Sequence, residues 1–107
     1  MVQLQEHVKD VLQRIGVTPK EFLAVRSPIR HAIGYMINAY NRDDDVEGEK
    51  IFAVCEEHLT EGTGGPSCEE NMEPLAILRG VRLACESLLS NRRNQQNYRQ
   101  AIHVSKN

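Results

Sequence analysis

The sequence predicts an all-α, single-domain bundle of about five helices with a basic, helical C-terminal extension. Three observations carry this. Apolar residues recur at helical spacing in five separate stretches, helix-start signals precede several of them, and no stretch alternates convincingly at the period of two that a half-buried strand requires. A chain of 107 residues, 40% apolar and 26% charged, is large enough for one core and too small for two.

In the first stretch, Val2 or Leu4, Val8, Val11, Leu12 and Ile15 share one helical face, and Gly16 follows as a residue free to adopt positive φ. Thr18-Pro19-Lys20-Glu21 then combines an N-cap, a proline in the first turn and a capping-box glutamate. It predicts a short second helix from near Pro19 to near Arg26. Ser27-Pro28 repeats the signal and opens a third helix with the stripe Ile29, Ala32, Ile33, Met36, Ile37, Tyr40. The acidic run NRDDDVEGEK is expected to break the pattern before a fourth helix carrying Ile51, Phe52, Cys55 and Leu59. TEGTGGPSCEEN reads as a loop. Asn71, with Pro74 three residues on, fits the start of a fifth helix, apolar over a wide arc from Leu75 to Leu89 and expected to be the central element. The polar interval Ser90–Asn97 separates that arc from Tyr98, Ala101 and Ile102. The boundary is placed there: residues 1–90 as the bundle, 91–107 as a basic polar extension. Gly34 and Gly80 interrupt good helices, which predicts close helix crossings at both.

The net charge of −2 conceals an uneven distribution: about +2 over residues 1–40, −9 over 41–73 and +5 over 74–107. Three cysteines cannot pair completely within one chain. The N-terminus has neither the basic nor the apolar region of a secretion signal, and no apolar run approaches the roughly 18 residues of a membrane span. The expectation is a cytoplasmic protein with reduced thiols and no membrane partner.

Four constellations bear on function. Val11, Ile15, Val17, Phe22 and Val25 occupy packing positions about a corner at Gly16, and the segment from Val8 to Ser27 resembles the helix-turn-helix of bacterial repressors. The resemblance covers about a fifth of the chain and implies a nucleic-acid-binding corner with Lys20 and Arg26 on its outer side. Leu12, where a small residue is usual, and an outer face of Lys20, Glu21, Leu23, Ala24 and Arg26 count against base reading, because leucine and alanine cannot hydrogen-bond to base edges. DDDVEGEK is similar to a calcium loop at Asp43, Asp45, Glu47 and Gly48, but Val54 stands where the bidentate glutamate belongs. Cys55-x-x-His58 is half of a zinc ligand set without its second pair. The tail NRRNQQNYRQ offers Arg92, Arg93, Tyr98 and Arg99 to a phosphate backbone or to an acidic protein surface.

No catalytic constellation is visible, so no enzyme activity, small-molecule substrate, metal or cofactor is expected. The leading expectation is a small binding or regulatory protein acting through protein–protein contacts, with a protein partner or a second copy of itself. Asp43, Asp44, Asp45 and Glu47 on one side and Arg92, Arg93, Tyr98, Arg99 and Ile102 on the other form its contact residues. The tail is expected to act as an arm whose arginines reach the acidic surface of a neighbour. The alternative is a nucleic-acid-binding regulator using Lys20, Arg26, Arg92, Arg93 and Arg99.

Overall fold

A computed structural model describes the backbone of residues 4–61 and 69–105 and the side chains of residues 4–61 and 72–96. Five helices follow one another: α1 (Glu6–Arg14), α2 (Pro19–Leu23), α3 (Ser27–Asn41), α4 (Asp45–Glu61) and α5 (Glu69–Ser105). The described residues contain no strand. The all-α fold expected from the periodicity is the fold observed.

Helix α1 ends in a Schellman motif. Gly16 has φ +76°, its N–H donates to the Gln13 carbonyl at 3.1 Å, and the Val17 N–H donates to Leu12 O at 2.9 Å. Helix α2 starts as the capping box requires. The Glu21 N–H donates to Thr18 Oγ1 at 3.1 Å, and the Thr18 N–H donates to Glu21 Oε1 at 3.2 Å. The helix is only five residues long, one of its last carbonyls, that of Leu23, accepting a bond from the Arg30 guanidinium at 2.8 Å.

Helix α3, not α5, is the centre of the bundle. It packs against α1, α4 and α5 more extensively than α5 packs against α1, α3 and α4, and Ile33, Met36, Ile37, Ala39 and Tyr40 are withdrawn from solvent. The wide apolar arc of α5 suggests otherwise, but Leu83 within that arc is 63% exposed. Leu75, Ile77, Leu78, Val81, Cys85 and Leu89 are the α5 residues that face the core, joined there by Val8, Val11 and Leu12 of α1 and Phe52, Cys55 and Leu59 of α4. Helix α5 begins at Glu69, two residues before Asn71, with Pro74 inside it. It runs through residue 90 without a break, so the change of composition there is not the end of a helix.

The acidic run is a second correction. It does not separate α3 from α4 by a long loop, because α4 already starts at Asp45. Asp44 supplies the cap: its Oδ1 accepts the Glu47 N–H at 3.0 Å, and acids in a first turn lie where the helix dipole favours negative charge. The join is a second Schellman motif. The Asp44 N–H donates to Ala39 O at 2.8 Å, the Asp43 N–H donates to Tyr40 O at 3.1 Å, and Asp43 takes φ +65° where glycine is usual.

The close helix crossing is at Gly48. A Cβ there would lie 2.5 Å from the Tyr40 ring, whereas a Cβ on Gly34 would meet nothing within 4 Å and one on Gly80 would make ordinary contact with Ile15 at 3.4 Å. The crossings expected at Gly34 and Gly80 are therefore absent. No helix among the described residues is long and apolar enough to cross a membrane.

Candidate functional site

Two regions of the surface gather chemistry: the acidic corner between α3 and α4, and the seam that runs away from it along the same two helices.

At the corner, α5 passes beside the two Schellman aspartates. Arg92 Nη2 donates to Tyr40 O at 2.7 Å and to Asp43 Oδ1 at 3.1 Å, and Arg93 Nη2 lies 3.3 Å from Asp45 Oδ1. The arginines expected to reach an acidic neighbour thus find their acids within the chain, because the unbroken α5 carries them past the end of α3. A guanidinium at that point serves the α3 C-terminus, where unpaired carbonyls and the helix dipole favour a cation. Asp44 is occupied as the cap of α4. Glu47 stands apart and borders the seam. The side chains of Tyr98, Arg99 and Ile102 lie outside the described residues.

Deeper beside the corner, Glu49 accepts from three directions. Arg82 reaches it with Nε at 2.9 Å and Nη2 at 3.1 Å, and the Tyr40 hydroxyl donates to it at 2.5 Å. Arg82 also meets Glu86 at 3.3 Å and stacks over the Phe52 ring at 4.6 Å. The Arg82 fork holds the Glu49 carboxyl down to about 2, with the Tyr40 hydroxyl assisting against partial burial. Burial and the hydrogen bond to Glu49 push the Tyr40 phenol up. Shared hydrogen bonding with Glu49 and burial raise Glu86, against the Arg82 charge. The charges here are paired with one another, which ties α3, α4 and α5 together.

The seam is different. A groove of about 520 Å³ opens between α3 and α4, floored by Ile29, Ala32, Ile51 and Cys55 and walled by Pro28, Tyr35 and Val54. Tyr35 is 64% exposed and Val54 70% exposed. Glu47, Lys50 and His58 are the polar groups at its margin. The groove lies along α3 and α4 away from Gly48, where the Tyr40 ring fills the space between the two helices. No sequence pattern marks it: Ala32 and Ile51 look like core, and Tyr35 and Val54 fall on the polar sides of their stripes.

The remaining candidates do not converge on a site. Cys55 is buried at the groove floor while His58 is exposed at the rim, and among the described residues no three of His, Cys, Asp and Glu gather as metal ligands. Cys68 lies outside the described residues. Burial raises the thiol of Cys55, and that of Cys85 to about 12, which leaves both poor nucleophiles. Lys20 and Arg26 are exposed at the α2 and N-terminal α3 end. Arg92 and Arg93 lie at the other end of α3, a helix about 22 Å long at 1.5 Å per residue, so the basic residues form no single stripe. Leu23, which a DNA-reading α2 would present outward, is 38% exposed.

No protein-family model matches the chain, and no curated protein or solved structure matches it.

Proposed function

We propose that the protein is a non-catalytic cytoplasmic binding module that acts through protein–protein contacts, taking the apolar face of a partner helix into the α3–α4 groove. The observation that supports this is the exposure of Tyr35 and Val54 on either wall of an otherwise apolar groove. An apolar surface of this kind is stabilised by being covered, and a groove between two helices accepts a third helix through residues spaced i, i+3, i+4, i+7. The paired state of Arg92 and Arg93 weighs against the nucleic-acid alternative, since cations held by Asp43 and Asp45 contribute less to phosphate binding.

The test compares full-length wild type with Val54→Asp and with Lys20→Ala/Arg26→Ala as baits in extract of the native host. Partners lost with Val54→Asp and retained with the double variant support the reading. Identical sets from wild type and Val54→Asp overturn it. Binding of duplex DNA or RNA with a steep salt dependence, lost in the double variant, would transfer the function to the N-terminal corner.

A further inference from the structure

We infer that the occupant of the groove is the C-terminal end of α5 from a second copy of this chain. The inference rests on the groove's being a docking site and names what docks there.

Helix α5 outruns its own bundle. Arg93 makes the last ion pair described along it, to Asp45, and the helix continues to Ser105, about 18 Å further at 1.5 Å per residue. The groove is bounded on α4 by Glu47 and His58, about 16 Å apart along that helix. The overhanging piece and the groove are of one length.

The overhang has the composition of a docking helix. Tyr98, Ala101 and Ile102 stand at i, i+3, i+4 and so share a face of α5. Because α5 is unbroken to Ser105, its end cannot return to the groove of its own chain. Only another copy can bring it there.

Charge agrees. Residues 97–107 contain Arg99, His103 and Lys106 and no acid. On α4, Glu47 borders the groove with Lys50 and His58, and Glu57 and Glu61 stand exposed near its His58 end. The acids at 47, 57 and 61 make no ion pair among the described residues, whereas Asp45, Glu49 and Glu56 are paired with arginines of α5. A basic helix end meets an apolar groove on a helix that carries three acids without ion pairs among the described residues. Two copies exchanging ends dock twice in equivalent fashion and close a two-fold dimer.

The experiment uses the full chain. Wild type, Val54→Asp, Ile102→Asp and an equimolar mixture of the two variants are compared by sedimentation equilibrium at tens of micromolar, with circular dichroism confirming that each is folded. Wild type should be dimeric. Each variant alone has a defect in both of its docked ends and should dissociate at least tenfold more readily. The mixture keeps one sound docking, of the intact end of the Val54→Asp copy in the intact groove of the Ile102→Asp copy, and should associate more tightly than either variant alone. A monomeric wild type, an Ile102→Asp variant as dimeric as wild type, or a mixture no tighter than its components overturns the inference. If wild type is monomeric yet Val54→Asp still loses host partners, only the occupant is wrong. If Val54→Asp changes neither self-association nor partners, the groove itself is not a docking site.

Discussion

The Tyr40 ring occupies the space that a side chain at residue 48 would need. The ring is 2% exposed and its hydroxyl is tied to Glu49, so it cannot swing away to admit a methyl group 2.5 Å from its edge. Gly48→Ala gains helix propensity but overpacks the α3–α4 crossing, and the packing cost dominates: about 1–2 kcal/mol of stability should be lost. Urea unfolding monitored by circular dichroism measures it. An unchanged or raised midpoint would mean that the crossing relaxes freely.

Gly34 should behave in the opposite way. Nothing lies within 4 Å of where its Cβ would be, and its φ lies outside the left-handed region, so Gly34→Ala should stabilise by roughly 0.5–1 kcal/mol through helix propensity and a less flexible unfolded chain. The melting temperature reads this directly, and a decrease would reveal a contact at Gly34 that the monomer does not contain.

The contrast between these glycines shows what is legible in the sequence. Thr18-Pro19-Lys20-Glu21 and Gly16 announce their caps because capping chemistry is local, and the α3 stripe is nearly its buried face. Which glycine sits at a crossing depends on how α3 lies against α4, a non-local fact, so Gly34 and Gly80 stand out within helices while Gly48 reads as part of the acidic run. The run Asp43–Lys50 reads as a loop for a related reason. Its charge suggests solvent, but Asp44 and Glu47 have the spacing of a cap and its third residue, a signal that the charge outweighs. The groove is not legible at all, since whether Ala32 and Ile51 floor an open seam or fill a closed one is decided by how α3 lies against α4. The pairing of Arg92 with Asp43 follows from the sequence as chemistry but is assigned there between molecules, because only the unbroken course of α5 shows that one chain can make it.

Asp43 carries a conformational cost that its charge partly offsets. At φ +65° a residue with a Cβ is disfavoured by about 1 kcal/mol relative to glycine. Its ion pair with Arg92 is largely exposed and contributes less than that. Asp43→Ala loses the pair and keeps the strain, while Asp43→Gly loses the pair and relieves it. The glycine variant should be more stable than the alanine variant by about 1 kcal/mol and close to wild type. Equal stabilities for the two variants in thermal unfolding would show that the left-handed conformation at residue 43 is not retained.

The Glu49–Arg82 pair gives the fold an acid limit whose sign follows from its surroundings. Glu49 titrates at about 2 in the folded chain against an ordinary 4.5. A depressed carboxyl contributes stability that is complete above the ordinary value and is lost as pH falls through the folded value. The window is therefore pH 5 down to about 2. Glu86 acts in the opposite sense: its raised value makes its charged form unfavourable beside Glu49, so it detracts from stability at neutral pH and detracts less once protonated. Glu49→Gln should consequently cost about 1 kcal/mol at pH 7, a figure reduced from that of a buried bidentate pair because the Glu49 side chain is 40% exposed. It should cost less at pH 3, and the unfolding midpoint of the variant should depend less on pH over that window than that of wild type. Glu86→Gln should leave stability at pH 7 nearly unchanged, since relief of the repulsion with Glu49 offsets the absence of the 3.3 Å ion pair with Arg82. Urea midpoints at a series of pH values separate the two substitutions. If Glu86→Gln destabilised as much as Glu49→Gln at neutral pH, Arg82 would be held by the two carboxylates equally, and the ordering Arg82–Glu49–Tyr40 as the tie between α5, α4 and α3 would be wrong.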